Sequence, residues 1–301
     1  MVTKLKSKPE LVALTHTSFH SESNCFYFEK YFNLTQFDEN IIYGNDVIFV
    51  YNHSVDLTLL SKYSNTHKMI CDLCWESPSC DPVWYKWISS LSGSQNHLVL
   101  KDIDKFFWFN EKNLIKNNKI SISFKPGDKR FLMPIRKQTK NRDMLFDSID
   151  LSNSIYSYVE RGITLEKNFV NDRFYDPSWY SQTQYSVVCE TYQTCIFPTE
   201  KTFKPIMYGH PFIFFAGNGH LNYIKQCGFE SYDCVFDESY DSANSIEDKI
   251  KIICNNIKDI EYTPEICNKL MHNRQHFHNS NLPEQSIYSN VVEPTLEYIH
   301  D

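Results

Sequence analysis

The residues best suited to chemistry lie close together in the second half of the chain. A short apolar run ends in the acid Glu190, and a predicted helix begins after Thr199 with Lys201 in its first turn. The first N–H groups of a helix and the positive end of its dipole favour an anion, and Lys201 adds a full positive charge. A carboxylate at the end of a parallel strand suits ribose hydroxyls. Together these residues predict a pocket for a nucleotide diphosphate.

The same residues also fit a simpler interpretation. Threonine is a common N-cap residue, and Glu200 in the first turn of a helix is more typical of capping than of ribose binding. On this interpretation Thr199 and Glu200 stabilise the helix start, and Lys201 is a solvated side chain. The residue pattern alone leaves both interpretations open.

The elements around these residues must form a parallel sheet. YSVVCE and PFIFF are typical of buried strands, and each is followed by a helical pattern that stops at a glycine, Gly209 or Gly228. Strands that alternate with helices indicate parallel pairing. The 301 residues suffice for two α/β domains. A turn signal, KPGD, places the boundary at 1–125 and 126–301, and we expect the last helix to pack back on the first domain.

Further elements are predicted from composition and periodicity. Apolar, β-branched and aromatic runs predict strands, and apolar residues at helical spacing predict helices. The predicted strands include DVIFVY (46–51), KMICDLCW (68–75), KFFWFN (105–110), KISISF (119–124) and RFLMPI (130–135). Helices are expected over 142–149, 154–161, 245–257, 264–277 and 283–300, and 172–183 is expected to be a loop.

Charge and composition narrow the class of partner. The net charge of −7 disfavours bulk attraction to nucleic acid. The interval 101–142 is locally basic, with twelve Lys or Arg against four Asp or Glu, and is interpreted first as a solvated surface. The N-terminal residues lack a signal-peptide core, and no run of about 18 apolar residues occurs. We therefore expect the ten cysteines to be reduced thiols and the protein to be cytoplasmic.

Three segments carry a resemblance to a known family. CETYQTCIFPTEKTFKPIMYGHPFIF (189–214) resembles the donor-binding segment of the alpha-1,3-fucosyltransferases, where a strand ending in Glu precedes a Thr-Glu-Lys helix and a Gly-x-Pro-aliphatic strand. WESPSCDP (75–82) is similar to a Glu-Ser-Pro-Ser segment of the family's first domain. RKQTKNRDMLFDSI (136–149) resembles the start of its second domain, where an arginine reaches the donor diphosphate. Glu190-Thr191-Tyr192 departs from the family's Glu-Asn-Ser, which leaves the donor open.

The resemblance implies a GT-B fold, in which two Rossmann-like domains face a cleft, and an inverting transfer of sugar from a nucleotide diphosphate sugar to an acceptor hydroxyl. It makes Glu76 the candidate base, although a loop glutamate without a catalytic part is equally consistent. Apart from the resemblance, Glu22 and Asp72 are the runner-up bases. The resemblance implies Arg142, with Arg136 as its rival, as a diphosphate ligand beside Lys201. These cations would offset leaving-group charge without a metal or other cofactor. The family implies GDP-fucose as donor and a glycan as acceptor. A chain without an anchor is typical of bacterial or viral members.

Alternatives to a glycan-modifying enzyme stay open. The basic interval 101–142 motivates a glycosyltransferase acting on hydroxymethylated bases of phage-type DNA, and a non-catalytic nucleotide- or glycan-binding module would need no base at all. An NAD-dependent epimerase is disfavoured, since residues 11–20 contain no glycine and so no G-x-G-x-x-G.

Two further clusters are considered as sites. Tyr240, within the acidic DESYD segment (237–241), is a candidate to stack on a nucleotide base, while the acids around it fit a polar turn better than a metal site. Cys71, Cys74 and Cys80 include a C-x-x-C without an evident fourth zinc ligand, and are interpreted as incidental thiols.

Overall fold

A computed structural model describes residues 10–14, 31–44, 46–51, 57–73, 96–101, 105–115, 125–165 and 177–300. The described residues form two α/β units. The first contains the residues up to Leu114 together with those from Asn281 onward, and the second contains Ile115–Ser280.

The first unit has a parallel sheet of five strands in the order β2-β1-β3-β4-β5. Its strands are β1 (Glu10–Ala13), β2 (Asn33–Gln36), β3 (Ile48–Tyr51), β4 (Lys68–Leu73) and β5 (His97–Lys101). Its helices are α1 (Leu57–Tyr63) and α2 (Phe106–Ile115), and, at the C-terminal end of the chain, α9 (Leu282–Ile287), a π-helical turn (Tyr288–Val292) and α10 (Glu293–His300).

The second unit has a parallel sheet of four strands in the order β7-β6-β8-β9. Its strands are β6 (Lys129–Ile135), β7 (Ile155–Tyr158), β8 (Thr183–Cys189) and β9 (Phe212–Phe215). Its helices are α3 (Lys140–Ser148), α4 (Pro177–Gln182), α5 (Glu200–Tyr208), α6 (His220–Gln226), α7 (Ile246–Asn255) and α8 (Pro264–Asn279), with 3-10 turns at Val159–Arg161 and Glu238–Ser242. The alternation expected of parallel sheets is confirmed in both units.

The C-terminal helices cover one face of the first sheet. Ile287 and Val291 are fully buried in a core that also contains Val50 of β3 and Ile70 of β4. Tyr298 of α10 makes two hydrogen bonds to the start of β4. Its carbonyl accepts one from Lys68 Nζ at 2.7 Å, and its hydroxyl accepts one from the Met69 amide at 3.2 Å. The C-terminal segment is thus part of the core of the first unit.

Three predicted assignments were wrong. The run 105–110 was predicted as a strand because it is aromatic, but Phe106–Ile115 is helical and buries Trp108 and Phe109 completely. Lys112 of this helix pairs with Glu284 at 2.9 Å, a contact 172 residues away that no local pattern could signal. Tertiary packing therefore overrides the strand preference of the aromatic residues.

The segment 154–161 was predicted as a helix, but Ile155–Tyr158 form an edge strand paired with β6, with Leu132 opposite Ile155. Residues 177–182, expected as loop, form the short helix α4. The predicted strand 119–124 lies outside the described residues. The edge strand is stabilised by pairing with a partner more than twenty residues away, which periodicity alone does not report.

Truncating Ile287 should destabilise the first unit specifically. Ile287→Ala leaves a cavity under the sheet and should lower the free energy of unfolding by about 2–5 kcal/mol. Hydrogen–deuterium exchange should become faster in peptides from β3 and β4 and stay unchanged in β6 and β8. Glu297→Ala, on the exposed side of α10, is the control. Equal acceleration in both units would contradict the placement of the C-terminal helices.

Candidate functional site

A cavity of about 390 Å³ opens at the carboxyl ends of β6, β7 and β8. Strand order reverses at β6, since the chain passes from β6 to β7 on one side and then to β8 on the other. This is the position at which parallel α/β sheets bind ligands. The lining residues follow the strand ends and the start of α5: Pro134, Ile135, Arg136, Lys137, Arg142, Ser157, Val159, Glu160, Thr191, Glu200 and Lys201.

The lining of this cavity is cationic. Four of its side chains carry a positive charge and two a negative one: Arg136, Lys137, Arg142 and Lys201 against Glu160 and Glu200. A concave site with a surplus of positive charge focuses its field on an anion, and a volume of this size falls in the range of small-molecule sites. The cavity is therefore suited to an anionic ligand of nucleotide size.

The predicted caps of α5 are confirmed. Thr199 has extended backbone, and its side-chain oxygen accepts a hydrogen bond from the Lys201 amide at 3.3 Å. Gly209 ends the helix with φ 63°, a left-handed conformation that glycine adopts without strain. Because both signals are local, the sequence could specify where this helix starts and stops.

The carboxylate of Glu190 is directed into the start of α5. It is 1% exposed and accepts hydrogen bonds from the Thr199 amide at 3.0 Å, the Thr199 hydroxyl at 2.7 Å and the Thr202 hydroxyl at 2.8 Å. Both oxygens are thus used inside the protein. The structure corrects the expected ribose contact, since the anion that the helix start attracts is Glu190 itself.

Lys201 lies in the cavity wall as half of an ion pair. Its Nζ is 2.5 Å from Glu200 Oε1 and 3.4 Å from the Thr199 hydroxyl, and its side chain is 22% exposed. Burial lowers the pKa of Lys201, but the carboxylates of Glu200 and Glu190 outweigh this effect and leave the pKa raised. Burial raises the pKa of Glu200, and the charges of Lys201 and Lys204 oppose it and bring the pKa to about 2. Both groups are therefore charged at neutral pH.

Arg142 is committed to the protein backbone. It is 1% exposed, and its guanidinium donates to the carbonyls of Cys189 at 2.6 Å, Lys137 at 2.8 Å and Glu190 at 3.2 Å, and to the Thr191 hydroxyl at 3.3 Å. Four of the five N–H donors of an arginine are thereby used. The expected bidentate contact with a diphosphate is not available in this arrangement, because Arg142 joins the end of β8 to the loop after β6.

Solved structures share this architecture. A crystal structure of an alpha1,3-fucosyltransferase matches over 100% of this chain and 92% of its own, with a TM-score of 0.51 and 12% identity. The structure described as alpha1,3-fucosyltransferase with GDP-fucose matches over 100% and 93%, with a TM-score of 0.52 and 10% identity. The chain has the alpha1,3-fucosyltransferase fold. This fold is of the GT-B class, as the resemblance implied.

The similarity to these solved structures is a similarity of fold. No protein-family model and no curated protein sequence matches the chain. At 10–12% identity the neighbours establish the architecture, and the chemistry must be argued from the residues of this chain. Within the described residues, no helix has both the length and the apolar character needed to cross a membrane.

Arg136, the rival of Arg142, lies exposed in the cavity wall of this fucosyltransferase fold. It directly follows β6, and its carbonyl accepts a hydrogen bond from the Glu160 amide at 3.1 Å, which fixes the backbone at this point. The exposed Lys137 is next to it. Both arginines line the cavity, but Arg136 is exposed there, whereas the guanidinium of Arg142 is bound to backbone carbonyls.

Tyr240 is 1% exposed, and burial raises its pKa well above the ordinary value. Its ring has no open face for a nucleotide base, which corrects the proposed stacking. The neighbouring Asp241 accepts from the Leu221 amide at 2.9 Å and the Asn222 amide at 3.0 Å and so caps α6. In the part of the chain that the structure describes, no three His, Cys, Asp or Glu residues are grouped as a metal site.

The candidate bases belong to the other unit. Glu76 and Glu22 lie outside the described residues. Asp72 is in β4, but its side chain is not among the parts that the structure describes. The role of these acids stays a prediction.

The sequence analysis did not identify Lys137 and Glu160 as residues of the cavity wall. The sequence signal for Glu160 would have been an acid shortly after the second strand of a βαβ unit. That strand was not recognised, because the segment 154–161 was predicted to be a helix.

Replacing Arg142 should cost stability, and replacing Arg136 should not. Arg142→Ala removes the arginine donor from the carbonyls of Cys189 and Lys137 and one of the two side-chain donors of the Glu190 carbonyl. It should lower the free energy of unfolding by about 3 kcal/mol, with faster hydrogen exchange in β8. Arg142→Lys should restore little, because one ammonium cannot replace a planar fork. Arg136→Ala is the control and should change stability by less than about 0.5 kcal/mol. Full stability of Arg142→Ala would refute the positioning role.

Proposed function

We propose that this chain transfers a sugar from a nucleotide diphosphate sugar to an acceptor hydroxyl with inversion, with GDP-fucose as the first donor to test. The cationic cavity at the strand-order reversal of the second unit is the observation that supports this function best. The fold supports it, because a solved structure with the same architecture is described as containing GDP-fucose.

In this proposal Arg136, Lys137 and Lys201 hold the diphosphate. An ammonium has three N–H donors, and within the described residues Lys201 uses two of them, for Glu200 and Thr199. A phosphate oxygen takes the third donor and competes with Glu200 for the charge of Lys201. Cations fixed around the leaving diphosphate stabilise the charge that develops as the sugar bond breaks. They take the part that metal ions play in other glycosyltransferases.

The acceptor needs a general base. Transfer with inversion proceeds when a carboxylate removes the acceptor's proton as its oxygen attacks the anomeric carbon. Glu76 is the candidate base, on the strength of the Glu-Ser-Pro-Ser resemblance at residues 76–79. Glu190, Glu200 and Thr199 are assigned to the architecture of the α5 start, where they orient Lys201.

A glycan hydroxyl is the preferred acceptor. Modified DNA was considered as an acceptor because the interval 101–142 is basic. Three cations of this interval, however, already bind other groups of the protein. Lys112 pairs with Glu284, Arg130 pairs with Asp150 at 2.7 Å, and Arg142 binds backbone carbonyls. This weakens the case for a basic face that tracks DNA phosphates.

Lys201→Ala should weaken GDP binding about 10- to 100-fold in isothermal titration, because it removes a charge-assisted contact to a phosphate. Lys251→Ala, an exposed lysine on α7, is the matched control and should bind GDP as the wild type does. UDP, CMP and dTDP serve as comparison nucleotides. Unchanged GDP affinity in Lys201→Ala would show that Lys201 does not contact GDP. Tight binding without GDP release from GDP-fucose, with a panel of glycan acceptors, would favour the non-catalytic module.

Glu76→Gln should separate chemistry from binding. Loss of the general base should lower kcat for sugar transfer by about 10²- to 10⁴-fold. The GDP dissociation constant should stay within about twofold, since in this proposal Glu76 does not touch the nucleotide. Glu39→Gln, an exposed acid of the same unit, is the control for a change of charge. Wild-type turnover in Glu76→Gln would show that Glu76 is not the general base and that another acid must serve.

A further inference from the structure

Glu160 is a cavity carboxylate without an assigned role. It lies two residues after β7, within the turn Val159–Arg161, and its side chain is exposed in the cavity wall. β7 and β8 flank β6 on opposite sides, so their ends are two strand spacings, or about 10 Å, apart. Glu160 reaches the cavity from the β7 side, and Lys201 reaches it from α5, the helix that follows β8. A cavity of that width can hold two parts of one nucleoside diphosphate.

The carboxylate of Glu160 is held in place by the turn after β6. Its Oε2 accepts a hydrogen bond from the Gln138 amide at 2.6 Å, and its own amide donates to the Arg136 carbonyl at 3.1 Å. Among the described residues, Oε1 has no hydrogen-bond donor. One oxygen thus fixes the side chain while the other can accept from a ligand.

The other acids of the site are already used. Glu190 is buried with both oxygens bound to threonines, and Glu200 pairs with Lys201. A carboxylate suits a ribose hydroxyl, and of these three acids Glu160 is the one that lines the cavity without being paired to a cation of the cavity wall. Its position agrees with a general rule of nucleotide-binding α/β folds. There an acid at the end of the second strand, about 20 residues after the first βα turn, binds a ribose hydroxyl. β6, α3 and β7 form such a unit, with Thr139 in its turn.

We infer that Glu160 accepts a hydrogen bond from a ribose hydroxyl of the nucleotide, on the β7 side of the cavity, away from Lys201. This inference rests on the proposed function, because it assigns the nucleoside end of the same ligand. The carboxylate also places a negative charge near the phosphates, so its two effects on binding have opposite signs. Because the two effects have opposite signs, ligands with and without the ribose can separate them.

The test is isothermal titration of wild-type protein and Glu160→Gln with four probes: inorganic pyrophosphate, GDP, and the 2′- and 3′-deoxy forms of GDP. Glutamine keeps an oxygen acceptor for the Gln138 amide, so the turn is preserved. Glu160→Gln should bind GDP about tenfold more weakly, and pyrophosphate equally or more tightly because a repelling charge is gone. With the deoxy form that lacks the contacted hydroxyl, the variant should bind as tightly as wild type or more tightly, since only the removal of the repelling charge then distinguishes them. Glu247→Gln, an exposed acid on α7, is the control.

The outcomes separate this inference from the function on which it rests. Tighter or unchanged GDP binding by Glu160→Gln overturns the ribose contact while leaving the diphosphate site intact. A loss that persists with both deoxy forms also overturns it, since the contact would then be with the base. If neither pyrophosphate nor GDP binds the wild type, the proposed function itself fails and the inference falls with it.

Discussion

The second unit depends on one buried carboxylate. Glu190 ends β8 and receives the amide and hydroxyl of Thr199 and the hydroxyl of Thr202, so it joins the sheet to the start of α5. Thr202 in turn contacts His220 Nε2 at 2.9 Å, and burial lowers the pKa of His220 to about 4, so the ring is neutral. Because the single hydroxyl proton of Thr202 is donated to Glu190, His220 must be the donor to Thr202.

This arrangement decides where an external anion can bind. The positive end of the α5 dipole already faces an internal anion, so the helix start offers less to a phosphate than its sequence suggests. The backbone carbonyl of Glu190 holds Arg142 as well, which withdraws that cation into the architecture. In the proposed site, attraction for an anion therefore comes from Arg136 and Lys137, which follow β6, and from Lys201 in the first turn of α5.

The cavity and its support divide the charged residues into two groups. Glu190 and Arg142 are buried and hydrogen-bonded inside the protein, so removing either should be strongly destabilising. Lys201, Glu200 and Glu160 are partly exposed and can exchange a protein contact for a ligand contact at lower cost. The buried pair thus fixes the positions of the partly exposed charged residues, as the proposed binding of a diphosphate sugar requires.

The sequence by itself determined the alternation of strands and helices, the caps at Thr199 and Gly209 and the strand-end position of Glu190, because these depend on neighbouring residues. It located a cationic site near Lys201 for the same reason. Only the tertiary structure decided that Glu190 and Arg142 bind the protein, that Arg136 and Glu160 face the cavity, that Tyr240 is buried, and that Phe106–Ile115 is a helix. Each of those outcomes is set by contacts between residues far apart in the chain, whose energies no local pattern contains.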